Sequence, residues 1–408
     1  MLKNSFFNLS LRGSTLLSKF LLMFVLAKYL EPGQLGIYGI FVSAIAFSLY
    51  IIGMDFYIFN TREILASPKE NHLNLIKDQF ILHFILYLFI FPLLLFLFYF
   101  HILPLKYLIW FYLILIVEHL SSEFSRIFVT LEYPIISSIV VFLRNGAWAL
   151  FVIIYIYIST IKDLEIIFYS WFIGGFVSIV ISIFILRKLL LIKVVKKVDW
   201  KWLRKGCKNS LRFLISSISL ASIEFVNRNV LKIAYSNELV GIYTFYSNIT
   251  NLIQVFVYTA IIMIMQPQLI SLFQKNELEK FYEQKKVFNK RIVLSSFLLG
   301  IFSIIGIYPI LYLVNKPIYS TYISAFWILS LSTVINVISQ VFYTSLYIRR
   351  VDSKIVLSSF ISFLIALIMN IILTPSLGIY GVAISTLVSS IVILVLQYYF
   401  DKSSQKEY

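Results

Sequence analysis

The stretch Ala27-Lys28-Tyr29-Leu30-Glu31-Pro32-Gly33-Gln34-Leu35-Gly36-Ile37-Tyr38-Gly39-Ile40-Phe41 decides the fold. It closes one long apolar run, turns over a few polar residues and opens the next. Its signature returns twice. Leu377-Gly378-Ile379-Tyr380-Gly381 repeats Leu35-Gly36-Ile37-Tyr38-Gly39 residue for residue, and Val240-Gly241-Ile242-Tyr243 repeats its core after the polar turn Ser236-Asn237-Glu238. Three copies of one helix-turn-helix corner predict a membrane protein built from duplicated helical hairpins, a build that recurs among transporters.

Composition agrees. The chain is 60% hydrophobic and 13% charged. Apolar runs of about twenty residues recur from end to end, each able to span a hydrocarbon core of roughly 30 Å. The first run is long and lacks a small-residue cleavage site, so it reads as a retained span rather than a signal peptide. The single cysteine, Cys207, excludes an internal disulfide and a cysteine metal cluster. No cofactor or metal is expected. The net charge of +16 sits mostly in a few loops, which membrane orientation explains and nucleic-acid binding does not.

The expected fold is an all-α integral membrane protein of about twelve transmembrane helices. The spans fall near 8–30, 35–60, 79–100, 105–130, 135–158, 165–187, 209–235, 239–266, 289–314, 319–347, 354–374 and 378–400. Pro32, Pro104, Pro134, Pro317 and Pro375 stand in or beside connections, while Pro92 and Pro267 lie where kinks are expected. With the N-terminal tail inside, the inner loops carry Arg62, Lys69 and Lys77, then Arg187 to Arg212, Lys275 to Arg291, and Arg349, Arg350 and Lys354. The outer loops carry little beyond Lys106, Lys162 and Lys316. That asymmetry predicts both termini in the cytoplasm.

The basic segment Leu191 to Lys208 divides six spans from six, giving an N-terminal bundle over 1–190, a linker over 191–208 and a C-terminal bundle over 209–408. Lys193, Lys196, Lys197, Lys201, Arg204, Lys205 and Lys208 surround Trp200 and Trp202. The segment reads as an amphipathic stretch on anionic headgroups, or as a loop that only sets topology. Gly36 and Gly241 lie half a chain apart, so the two bundles share an orientation, and a substrate is expected between them near the midplane.

Charges inside the membrane are the candidate site, because each costs roughly 2.5–3.5 kcal/mol at the bilayer centre and needs water or a partner. Glu224, Arg228 and Lys232 form one stripe on the seventh span; the alternatives are a cavity lining, an internal Glu224–Arg228 pair, and a snorkelling Lys232. Arg12 and Lys19 share a face of the first span, Arg12 near the surface and Lys19 deep. The fourth span carries Glu118, His119, Glu123 and Arg126, which either bind a proton or sodium ion or neutralise one another. Asp55 and Arg144 are single charges within the second and fifth spans. Asn248, Asn251 and Gln254 on the eighth span and Asn336 and Gln340 on the tenth suit either a hydroxyl-rich ligand or helix–helix hydrogen bonds. The deep charges lean positive, and a cationic cavity suits an anionic headgroup, which Arg pairs bidentately and Lys meets as a point charge.

Several motifs carry a family resemblance. Tyr29-Leu30, Pro32 and Leu35-Gly36-Ile37-Tyr38 form one; Gly53-Met54-Asp55-Phe56-Tyr57 followed by Thr61-Arg62-Glu63 form another; Leu377-Gly378-Ile379-Tyr380-Gly381-Val382-Ala383 form the third. Together they resemble bacterial polysaccharide flippases of the multidrug/oligosaccharidyl-lipid/polysaccharide exporter superfamily. The resemblance implies a V-shaped pair of six-helix bundles in the inner membrane. It implies translocation of an undecaprenyl-diphosphate-linked oligosaccharide for O-antigen, capsule or exopolysaccharide synthesis. A polymerase and a chain-length regulator would be partners, and H+ or Na+ would be the coupling ion. On these expectations Arg12, Lys19, Arg126, Arg144, Arg228 and Lys232 meet the headgroup, and Asp55, Glu118, Glu123 and Glu224 serve coupling. The competing reading is a multidrug/cation antiporter of the same fold, for which an acidic, aromatic cavity is expected. The short outer loops argue against a polymerase or ligase, Asn60-Thr61-Arg62-Glu63-Ile64 does not match the sugar-facilitator motif, and no nucleotide-binding loop is present.

Overall fold

The structure, a computed structural model, describes residues 2–159, 162–190 and 196–404, without the side chains of residues 2–6 and 9. The chain forms two compact units: Met1–Leu30 with Ile40–Ile218, and Glu31–Gly39 with Ser219–Tyr408.

The first unit contains α1 (Leu2–Tyr29), most of α2 (Pro32–Gly53), α3 (Phe56–Ala66), α4 (His72–Leu94), the single turn α5 (Phe96–Tyr99), α6 (Leu108–Thr130), α7 (Pro134–Phe142), α8 (Trp148–Ile158), α9 (Leu164–Leu189) and the start of α10 (Trp200–Ala234). The second unit contains the rest of α10, then α11 (Asn237–Val257), α12 (Met263–Gln274), α13 (Leu278–Val314), the short α14 (Pro317–Thr321), α15 (Ile323–Ile348), α16 (Asp352–Leu377) and α17 (Ile379–Ser404). Helix starts follow ordinary capping chemistry. Pro134 and Pro317 open α7 and α14 where a missing N–H costs nothing. Asp163 and Ser236 accept from the first free amides of α9 and α11.

Among the described residues, eleven helical stretches are long and apolar enough to cross a membrane. The expected seventh span, on α10, falls outside that set, because serines and asparagines beside Arg212, Glu224 and Arg228 lower its apolarity. Its 35 residues begin at Trp200, so the second half of the basic linker is helical and runs directly into the span. Trp202 sits 5.5 Å from the Phe56 ring and 5.4 Å from that of Phe59, and donates to Glu63, while Trp200, Lys201, Arg204, Lys205 and Lys208 stay exposed. Lys193 lies outside the described residues.

Other boundaries also differ from the sequence expectation. The second span does not run to residue 60: Met54 and Asp55 both adopt φ 49, which ends α2 and starts α3 in a new direction. No periodicity signals that break, because both flanks are apolar. The third span starts earlier, at His72, and α13 extends back to Leu278 through a charged cytoplasmic-type sequence. The fifth and eighth spans each contain one π turn, Leu143–Ala147 and Tyr258–Ile262.

Two of the three repeated corners are structurally equivalent and meet in the second unit. Gly36 and Gly241 each stand four residues past the first residue of their helix, Pro32 and Asn237. A Cβ on Gly36 would collide with the carbonyl oxygen of Asn237, and one on Gly241 with that of Pro32. The contact is reciprocal, and only glycine permits backbones this close. The third copy is different. Gly378, at φ 57, caps α16, and α17 starts at the next residue, so the same five letters build a tight turn rather than a helix's second turn.

Within the units, serines join the helices. Ser121 meets Ser178 at 2.6 Å, Ser332 meets Ser390 at 2.9 Å, and Ser362 meets Ser389 at 2.8 Å. Small hydroxyl residues let membrane helices approach and bond where hydrocarbon supplies no hydrophobic drive. Outward positions such as Phe297, Leu298, Ile301, Phe302 and Ile305 on α13 are exposed and apolar, as lipid-facing residues are.

Gly36→Ala and Gly241→Ala should each lower stability by about 1–3 kcal/mol through overpacking. Gly33→Ala and Gly306→Ala, whose added methyl meets nothing within 4 Å, should be neutral or gain up to about 1 kcal/mol. Thermal unfolding of the purified variants in one detergent checks the contrast.

Candidate functional site

The first unit holds two separate centres of charge. In one, Arg144 stands on the π turn between α7 and α8, a wider turn that swings its side chain toward α6. Its Nη1 lies 3.4 Å from Glu118 Oε2 and donates to the Glu118 backbone oxygen at 3.3 Å. Trp171 Nε1 donates to the other Glu118 oxygen. Trp148 stacks on Trp171 at 5.5 Å and donates to the Arg144 carbonyl at 2.6 Å, so the indole pair walls the ion pair. Glu118 is 5% exposed. A carboxylate this buried is tolerated only when paired and hydrogen-bonded, as it is here.

Lys19 completes this centre, because Glu118 and Arg144 are the charges acting on it. The lysine is exposed, yet Thr15, Leu22, Met23 and Leu26, the positions one and two turns away on its side of α1, are all buried. The lipid-facing side of α1, with Leu17 and Leu21, is the opposite one. Lys19 is thus an exposed cation set among buried positions, on the side of α1 opposite Leu17 and Leu21. Two cations share one carboxylate, leaving a net positive charge. Arg12, two turns earlier, is tied to Ser138 at 3.1 Å and is half-buried.

In the other centre, Arg126 donates from Nη1 to Glu123 Oε1 at 2.6 Å, and its guanidinium carbon Cζ lies 3.7 Å from the Tyr57 ring centroid. Gln79 donates to the second Glu123 oxygen and accepts from Asn60. Asp55, 3% exposed at the α2–α3 break, feels Arg126 and Glu123, and its Oδ2 has no partner.

The second unit has one centre. Arg228, 6% exposed, spends its guanidinium on Glu224 Oε2 at 2.5 Å, the Glu224 carbonyl at 3.0 Å, Ser247 at 3.1 Å and Thr244 at 3.4 Å. Thr244 occupies the place that Gly39 leaves open, so the packing of the first two corners also positions a ligand of Arg228. Beside it Asn227 bonds Tyr243, Thr386 and Asn370 in a neutral network. Lys232 is half-buried, one turn further on. Asn248 donates to the Thr244 carbonyl, whereas Asn251 and Gln254, on the same polar side of α11, are exposed. Asn336 and Gln340 share a side of α15 and are half-buried. The structure thus pairs Glu118 with Arg144, Glu123 with Arg126 and Glu224 with Arg228; it leaves Lys19, Asn251 and Gln254 accessible. Trp171 and Gln79 carry no signal in a lone sequence, because each is one polar group in an apolar run.

A helical membrane protein with polar centres buried in each unit belongs to the class of multi-pass membrane transporters. Residues 1–273 match the profile of the polysaccharide biosynthesis protein family, and the chain belongs to that family. Its fold is shared with solved transporters. An inward-facing multidrug resistance MATE family transporter of the MOP superfamily aligns over 96% of each chain, with a TM-score of 0.73 at 16% identity. A MATE in the straight conformation aligns over 98% of this chain and 97% of its own, with a TM-score of 0.67 at 17% identity. An outward-facing MATE family transporter gives 0.65 at 15% identity, over 96% of this chain and 95% of its own. No curated protein matches.

Glu118→Ala would strand Arg144 and Lys19 without their anion. It should destabilise the protein by about 3–5 kcal/mol. Trp171→Phe, which removes one hydrogen bond to Glu118, should cost about 1–3 kcal/mol. Chemical or thermal unfolding of the two variants checks the order.

Proposed function

We propose that the protein is a flippase. It carries undecaprenyl-diphosphate-linked oligosaccharide repeat units across the bacterial inner membrane by alternating access, with both termini in the cytoplasm. Membership of the polysaccharide biosynthesis family carries this reading, and the accessible Lys19 beside Arg144 supports it. The diphosphate is an anion that must leave water, and a net-positive centre whose lysine is exposed lowers the cost of that step. Exposed Asn251 and Gln254 offer hydrogen bonds to sugar hydroxyls, while the isoprenoid tail stays in lipid. A polymerase and a chain-length regulator then act on the delivered units, which build O-antigen, capsule or exopolysaccharide. A proton or sodium gradient resets the carrier.

The multidrug reading draws on the fold of the MATE transporters, at identities that speak for fold alone. It calls for an acidic receptor for organic cations; Glu224, its side chain 40% exposed, is the acid it would use, whereas around Lys19 the cations outnumber the carboxylate.

Lys19→Ala should reduce surface polymer at least about tenfold in cells whose own gene is deleted, if the lost charge pair is worth about 1.4 kcal/mol or more. Lys19→Arg should restore most of it. Asn251→Ala and Gln254→Ala should lower export by less. Normal polymer from Lys19→Ala at wild-type protein level would remove the headgroup role. Normal polymer in the deletion strain with altered drug tolerance would favour the multidrug reading.

A further inference from the structure

We propose that the cationic face at the start of α10 is a docking surface for anionic phospholipid headgroups of the cytoplasmic leaflet. The surface belongs to the first unit and does not depend on what the protein carries.

The chain entering α10 is fastened to that unit through one side. The Lys196 amide donates to Asn74 Oδ1 at 2.8 Å, the Lys196 ammonium to Asn71 Oδ1 at 3.1 Å, and the Asp199 amide to Asp78 Oδ2 at 3.1 Å. Asp199 Oδ1 then accepts from the Trp202 amide at 2.9 Å, as a helix N-cap does. Trp202 and Leu203 pack with Phe56, Phe59 and Leu82. Gly206 lies so close to the Phe56 and Phe59 rings that a Cβ would collide with both. The helix start is thus held before any partner arrives, and its other face is presented at little further entropic cost.

That other face is cationic. Lys201, Lys205, Lys208 and Arg212 recur at spacings of four, three and four, so they share one stripe, with Arg204 at its flank. All five are exposed. Lys205 lies 3.8 Å from Glu63, while Lys201, Arg204, Lys208 and Arg212 have no acid partner among the described residues. A topology signal needs positive charge in the loop but no particular arrangement of it. Here the charge is gathered on the one side of a seated helix that packing leaves open.

The same face changes character within a turn. Leu211 and Ile215, 47% and 46% exposed, continue it into the span. A surface that is cationic and then apolar matches an amphiphile with an anionic head and an apolar tail. A soluble acidic partner would leave Leu211 and Ile215 uncovered. At 1.5 Å per residue along the axis, Lys208 stands about 4.5 Å before Leu211, and Lys201 about 15 Å before it. The polar layer of one leaflet is roughly 5–8 Å deep. Lys208 and Arg212 therefore meet lipid phosphates directly, Arg204 and Lys205 reach them through their long side chains, and Lys201 stands off in water.

The test uses the full-length protein in a neutral detergent, titrated with phosphatidylglycerol or with phosphatidylcholine of the same acyl chains. Native mass spectrometry reads the lipid retained. The wild type should hold phosphatidylglycerol at least about tenfold more tightly than phosphatidylcholine, and salt should erase the difference. Lys208→Gln combined with Arg212→Gln should lower phosphatidylglycerol affinity at least about tenfold, since each cation near the surface contributes about fivefold. Lys201→Gln should change it by less. The remaining basic residues of the loop keep the insertion signal. If the double variant does not fold, Arg204→Gln alone should show about a fivefold loss. Lys286→Gln with Lys290→Gln, exposed on α13, removes the same charge elsewhere and should leave the affinity unchanged. No preference for phosphatidylglycerol in the wild type, or equal losses in the α10 and α13 variants, would overturn the proposal. Retention of inorganic pyrophosphate in place of phosphatidylglycerol would assign the face to a free anion and overturn it as well.

Discussion

Two helix starts meet at backbone distance where Gly36 faces Asn237 and Gly241 faces Pro32. Much of the second unit's chemistry depends on that approach. With no side chain at either glycine, the next turns also come close, and there the repeat is asymmetric: Gly39 on one helix, Thr244 on the other. The glycine leaves a space and the threonine fills it. Its hydroxyl then accepts from Arg228, which is also held by Glu224 and Ser247. A duplicated corner has thus become a support for a buried charge.

The rest of the interior follows from the cost of charge in hydrocarbon. Every deep arginine discussed is paired with an acid: Arg126 with Glu123, Arg144 with Glu118, Arg228 with Glu224. Such groups are structural anchors first, because removing either member strands the other. What remains for transport is the imbalance. It is positive around Lys19, where two cations share one carboxylate, and negative around Asp55, where two carboxylates share one guanidinium. Glu118 and Arg144 act on Lys19, and Glu123 and Arg126 act on Asp55. An anion is suited to the first.

The sequence made the helices and their broad grouping legible, because apolar runs and charged loops follow directly from the solvent. It also exposed the Gly36 and Gly241 corners as one motif. It misled at Leu377-Gly378, where identical letters form a helix cap. It could not show the break at Met54–Asp55, because a left-handed pair leaves no periodic trace between apolar flanks. Glu118, Glu123 and Glu224 were readable as intramembrane acids, but whether each was paired required the neighbouring helices. Trp171 was invisible for the same reason: a single indole in an apolar helix has meaning only against Glu118, 53 positions away. Lys19 was readable as deep, and only the burial of its neighbours revealed which side of α1 it stands on.

The central claim is that the protein carries a lipid-linked sugar from one leaflet to the other. Deleting the gene in its host and analysing surface polymer together with lipid-linked intermediates tests it most directly. The account predicts loss of polymer, with diphosphate-linked repeat units accumulating on the cytoplasmic side of the membrane. Normal polymer and no accumulated intermediate would contradict it.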